Sequence, residues 1–137
     1  KKYSKNYAIL RLTKVDITLI PLISEWINNL NNNFSIKPLR NKYLSPVPLS
    51  SVLSALIILM NKKNIGMFHL SCKDEINYLR VGQILCNYFK YDPKLIIKEN
   101  EKLLDRKFST LRTSKIFKNL NYLKSNLIIK KLIMQYF

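Results

Sequence analysis

Hydrophobic positions along this chain switch between two periods. Residues 7–15 (YAILRLTKV) open apolar and then alternate, with Ile9, Leu10, Leu12 and Val15 as the apolar members. That pattern predicts a buried strand, and the leading apolar run favours a parallel one. Leu19, Leu22, Ile23, Trp26, Ile27 and Leu30 then recur at i, i+3, i+4, i+7, i+8 and i+11, which predicts an amphipathic helix. Asp16 and Thr18 are suited to start it. The asparagine-rich stretch 28–33 is suited to stop it, because Asn tolerates left-handed backbone.

Residues 34–39 read as a short extended piece. Residues 40–48 read as a loop in which Tyr43, Leu44, Pro46 and Val47 form a brief strand. Residues 49–60 predict a helix apolar on most sides and hence deeply packed, with Ser50 or Ser51 as its cap. A turn at 61–64 leads through Gly66 into a strand at 67–70. A polar loop covers 71–77, and Tyr78, Val81, Leu85 and Tyr88 place a helical stripe on 76–89. Asp92-Pro93 ends that helix. Residues 95–98 (LIIK) read as a strand and 105–113 as irregular. Ser114 caps a short helix through Leu120, and a last helix covers 127–137. The fold class is α/β, a single domain over 1–137, with a few mostly parallel strands and packed helices. These strands are too few for a complete doubly wound sheet.

The chain has 137 residues, 47% of them hydrophobic, which is enough apolar material for one core and excludes a disordered chain. Two Gly and five Pro exclude collagen-like or linker material. Cys72 and Cys86 make no disulfide framework, so a reducing, cytoplasmic setting is expected. With one His they are too few for a structural zinc centre. No signal-peptide pattern opens the chain. The longest apolar stretch, 52–60, is far shorter than the roughly 20 residues that span a bilayer.

The formal charge of +16 first suggests a nucleic acid or another acidic partner. It comes from 19 Lys and only 5 Arg, and the lysines are scattered. Base readout and phosphate clamping favour Arg, and no pattern of a known nucleic-acid module is present. With 15 Asn and 17 Ile, the composition is also what an A/T-rich coding sequence produces. A lysine-coated, solvated surface is the plainer reading, and nucleic-acid binding stands as the rival.

Three segments, in order, resemble the C-terminal half of extended short-chain dehydrogenases, nearest to the dTDP-4-dehydrorhamnose reductase-like, sugar-nucleotide-binding branch. They are 8–15 (AILRLTKV), 45–55 (SPVPLSSVLSA) followed by 66–71 (GMFHLS), and 106–115 (RKFSTLRTSK). Three positions depart from the family's pattern: Cys72 stands for a Gly, Lys107 for a Pro and Arg112 for an Asp. The family's Gly-x-x-Gly-x-x-Gly cradle is absent, as is its Tyr-x-x-x-Lys pair, since Tyr3 is followed four residues on by Tyr7 and Tyr7 by Arg11. The resemblance therefore implies a C-terminal portion whose N-terminal Rossmann half is missing. It implies NAD or NADP as cofactor of the full-length parent, with none held tightly by this chain alone. A nucleotide sugar is the implied substrate, and hydride transfer by this chain alone is not expected.

By position in that resemblance, Thr13 lies on the cofactor side. Lys14, Tyr43, Ser45 and Arg106 are the implied substrate contacts. Lys14 suits a sugar or phosphate oxygen, and equally a surface lysine at a strand end. The Arg106 fork suits a diphosphate, and equally a solvated loop. Trp26 on the apolar stripe reads as a core residue rather than a base-stacking one. His69 reads as a satisfied core or sheet-face histidine, and both cysteines as inert thiols. Asp74-Glu75, the one adjacent acidic pair, reads as loop solvation or charge at a helix N-terminus rather than as an acid/base pair.

Overall fold

The computed structural model describes residues 6–61, 64–98, 111–120 and 123–137. The first strand, β1 (Ala8–Leu12), lies parallel to β3 (Gly66–Leu70), with Leu10 opposite Phe68 and Leu12 opposite Leu70. Between them run a 3-10 turn (Asp16–Leu19), α1 (Ile20–Asn31), the two-residue β2 (Tyr43–Leu44) and α2 (Leu49–Asn61). After β3, the short β4 (Ile76–Asn77) pairs antiparallel with β2 and feeds α3 (Tyr78–Phe89). 3-10 turns at Pro93–Leu95 and Lys115–Phe117 precede α4 (Ser125–Tyr136). Single parallel bridges join Val15 to Val47 and Ile36 to Ile96.

Two cores result. Leu10, Leu12, Phe68 and Leu70 turn one face of the β1–β3 pair toward Val52, Ala55 and Leu59 of α2, with Phe117 sealed beneath. The second core lies between helices: Ile23, Trp26 and Leu30 of α1 meet Leu85 of α3 and Ile129 and Ile133 of α4. Trp26 is buried there and meets Tyr78 edge-on at 6.4 Å, the core role its place on the stripe suggested.

Several boundaries differ from the sequence reading for local reasons. Residues 76 and 77 are strand, and α3 starts only at Tyr78, where the Asn77 side chain accepts the Arg80 N–H at 2.8 Å. The expected strand at 95–98 is a single bridge at Ile96 following a 3-10 turn that Asp92 caps. The helix expected at 114–120 is one 3-10 turn. The last helix begins two residues early, at Ser125. Asn33, at φ 56°, supplies the left-handed stop after α1. Gly66 has φ +116°, a backbone open to glycine and strained for any other residue.

The largest correction concerns α2. Only Val52, Ala55 and Leu59 are buried, while Leu49, Leu53, Leu56, Ile57 and Met60 form an exposed apolar stripe, Met60 being 76% exposed. The helix is apolar on most sides, with Ser50, Ser51 and Ser54 as its polar positions, yet among the described residues one apolar side of it has no covering layer. Among the described residues the pairings are mostly parallel, as expected: β1–β3 and both single bridges are parallel, and the two-residue β2–β4 pair is antiparallel.

Candidate functional site

The site builds outward from the carboxyl ends of β1 and β3, the edge where ligands of parallel α/β sheets bind. Beyond Leu12 the chain stays tied to its neighbours. Thr13 N–H donates to the Leu70 carbonyl at 3.3 Å, and Val47 N–H donates to the Lys14 carbonyl at 2.8 Å. Thr13 and Ser45 are brought together, the Thr13 hydroxyl donating to the Ser45 carbonyl at 2.6 Å. Ser45 is sealed from solvent; its hydroxyl pairs with that of Ser71 at 3.1 Å and donates to the Asp74 carbonyl at 3.1 Å. Lys14 is exposed on the same edge and Tyr43 is half-buried nearby in β2. Arg106 lies outside the described residues.

On the far edge of β3, the Ser114 hydroxyl accepts the His69 N–H at 2.9 Å, and the Ser114 N–H returns to the His69 carbonyl at 2.9 Å. The Thr113 hydroxyl accepts the Ser71 N–H at 3.1 Å and donates to its carbonyl at 3.0 Å. The described parts of all three family-like segments thus converge on β3. His69 departs from its expected state. By register it shares the outer sheet face with Ile9, Arg11 and Met67, and its Nε2 is buried without a hydrogen-bond partner.

Two carboxylates organise this edge. Asp16 accepts the Ile17 N–H at 2.8 Å and the N–H of Leu49, first residue of α2, at 3.1 Å. It therefore does for α2 what Ser50 or Ser51 was expected to do. Asp74 accepts the Ser125 N–H at 2.7 Å and the Cys72 thiol at 3.3 Å, closing the start of α4. Burial alone would raise its pKa, but the Ser125 and Cys72 hydrogen bonds outweigh it and hold the carboxyl below its ordinary value. The acidic pair thus includes a helix-terminal charge, as one sequence reading had it. Burial pushes both thiols up, consistent with inert cysteines.

Beside this edge opens a cleft of about 440 Å³ between β2, β4 and the first turns of α3 and α4. Tyr43 lines it, with Arg40, Asn77, Arg80, Gln83 and Asn126. None of these five was singled out from the sequence. The available signal was that Arg40 and Arg80 are two of only five arginines in a lysine-rich chain. Among the described residues no group of three or more metal-ligating side chains exists, and no helix is long and apolar enough to cross a membrane.

The fold recurs in known structures. It is similar to part of the fold of solved sugar-nucleotide dehydratases, reductases and epimerases. The Bordetella bronchiseptica enzyme WbmG in complex with NAD and UDP matches at TM-score 0.71 and 16% identity, over 94% of this chain and 44% of that one. The dTDP-4-dehydrorhamnose reductase of Bacillus anthracis in complex with NADP matches at 0.66 and 12%, over 94% and 48%. The UDP-N-acetylglucosamine 4-epimerase of Methanobrevibacter ruminantium in complex with UDP-N-acetylmuramic acid matches at 0.64 and 18%, over 95% and 47%. The chain thus spans less than half the length of these structures. No family model and no curated protein sequence matches it.

Proposed function

We propose that this chain is the substrate-binding half of an NAD(P)-dependent sugar-nucleotide reductase or epimerase, with the dinucleotide-binding half supplied by sequence outside these 137 residues. One observation carries the reading. Parallel sheets are stable when both faces are covered, and a pair of strands alone is marginal. Here β1–β3 is a two-stranded parallel sheet whose outer face leaves Ile9 42% and Met67 48% exposed. Among the described residues no strand occupies the other edge of β1. A further sheet and its covering layer would complete this unit. The share of each solved relative that the chain spans supports the same reading.

In this reading Lys14 and Tyr43 face the nucleotide sugar, and Arg106 the diphosphate. Thr13 borders the cofactor and, with its hydroxyl proton held by the Ser45 carbonyl, keeps the strand end in place. Ser45, being enclosed, serves the substrate by fixing Tyr43 two residues before it. The sequence has neither the glycine-rich cradle that would hold the pyrophosphate nor the Tyr-x-x-x-Lys pair that would donate the proton, so in this reading hydride transfer needs the other half.

The test is an NMR titration of the chain with UDP-glucose, with NADH and with a single-stranded oligonucleotide. The expected outcome is saturable shifts around Lys14 with UDP-glucose, weakened several-fold in Lys14→Ala, and none with NADH. If UDP-glucose moves nothing while the oligonucleotide binds with a steep salt dependence, the rival reading built on the +16 charge replaces this one.

A further inference from the structure

The outward face of α4 combines two features that a solvated helix does not need together. Ser125, Ile128, Ile129, Leu132 and Ile133 are buried, and the positions left outside are not simply polar. Leu127 is 45% exposed and Met134 is 67% exposed. Seven residues apart, they lie within about 20° of each other around the helix and form one apolar ridge. Lys131 flanks the ridge on one side and Lys130 on the other, each within about 60° of Leu127, and both are exposed. Exposed Lys124 stands at the start of the helix and Phe137, 42% exposed, at its end. Residues 124–137 contain no Asp or Glu. The exposed stripe of α2 differs, because that helix carries no charged residue at all, which suits a covering protein layer.

Lysines of one sign on one face call for an anionic partner, and the ridge between them narrows which. A nucleic-acid strand is held by cations on its phosphates and by aromatic rings under its bases, and Leu127 and Met134 offer no ring. Protein–protein interfaces are depleted in lysine, whereas here lysine borders the apolar ridge on both sides. An anionic lipid surface meets both features. The acyl boundary takes the ridge, while the lysines bend away along their methylene stems and reach the headgroups. The +16 charge of the chain adds longer-range attraction to the same surface. Among the described residues no helix is long and apolar enough to cross a bilayer, so the contact is with its surface.

We propose that the outer face of α4 docks on an anionic lipid bilayer, with Leu127 and Met134 at the acyl boundary and Lys130 and Lys131 on the headgroups. The proposal rests on this face alone and holds whatever becomes of the sugar-nucleotide reading. Its test is flotation of the full 137-residue chain with vesicles of phosphatidylcholine alone, and of phosphatidylcholine and phosphatidylglycerol in equal parts. The chain is expected to float with the anionic vesicles, to be released by high salt, and to stay behind with the neutral ones. Lys130→Gln/Lys131→Gln is expected to weaken partitioning roughly 25-fold, since each lysine near an anionic surface is worth about five-fold. Lys115→Gln/Lys118→Gln makes the same charge change at exposed positions on the turn that packs against the sheet core. It is expected to weaken partitioning by no more than about three-fold, because screening confines the attraction to charges near the surface. Leu127→Gln/Met134→Gln keeps the charge and alters only exposed positions. It is expected to weaken partitioning about ten-fold, as lost apolar insertion requires, with an unchanged urea midpoint. The proposal is overturned if anionic vesicles do not carry the chain, if neutral vesicles carry it as well, if the Lys115/Lys118 pair matters as much as the Lys130/Lys131 pair, or if the ridge variant floats like the parent. It is also overturned if soluble poly-glutamate binds this face as tightly as the vesicles do, which would assign it to an acidic protein.

Discussion

Asp16 and Asp74 each close a helix that begins far away in sequence. Asp16 reaches Leu49 at the start of α2, and Asp74 reaches Ser125 at the start of α4. A carboxylate at a helix N-terminus satisfies an orphan N–H and meets the positive end of the helix dipole. In a chain with only 8 acidic residues against 24 basic ones, such positions have few substitutes. The folded-state value of Asp74 lies below its ordinary one. Its contribution is therefore present above the unfolded value near 4 and is lost as pH falls through the lower folded value. Asp74→Ala is expected to lower stability by about 1–2 kcal/mol at pH 7, read from urea unfolding. The gap between variant and parent should narrow below about pH 4. A variant as stable as the parent at pH 7 would show that α4 is held without this cap.

Elements whose identity follows from a run of side chains were legible in the sequence. The stripes of α1 and α3 and the apolar strands β1 and β3 were placed within a few residues, because burial on one face writes a period into the chain. Elements that depend on a remote partner were not. LIIK has strand composition, yet Ile36 offers it a single bridge, so no strand forms. Ile76 and Asn77 continue a helical stripe but pair with Leu44 and Tyr43 instead. The cap of α2 comes from Asp16, a residue that the sequence offers as a start for the preceding helix. Of the candidate site, Thr13, Lys14, Tyr43 and Ser45 were named one by one through the resemblance, but the cleft was not legible, since its walls come from four elements whose docking has no local signal. Gly66 tests the local side of this argument. A Cβ there would meet nothing within 4 Å, so any cost of Gly66→Ala is backbone strain at φ +116°. The expected loss is about 1–3 kcal/mol, and an unchanged urea midpoint would mean that the turn before β3 relaxes freely.

At the scale of the whole molecule, the two cores are unequally finished. The helical core of α1, α3 and α4 is closed around Leu30, Leu85, Ile129 and Ile133. Among the described residues the sheet core is covered on one side only, and both Met67 on the outer sheet face and the Leu53–Ile57–Met60 side of α2 are exposed. Exposed apolar faces of this kind on a highly charged chain mark a surface made for another layer. The sheet-side incompleteness, the missing glycine-rich cradle and the span of less than half of each solved relative are all accounted for by one claim, that a Rossmann half completes this unit. The most direct test is the intact mass of the native product from its own source, with the sequence of any added segment. The claim predicts a mass well above 16.2 kDa, with a glycine-rich loop and a Tyr-x-x-x-Lys pair in the added N-terminal part. A native mass of 16.2 kDa would contradict it.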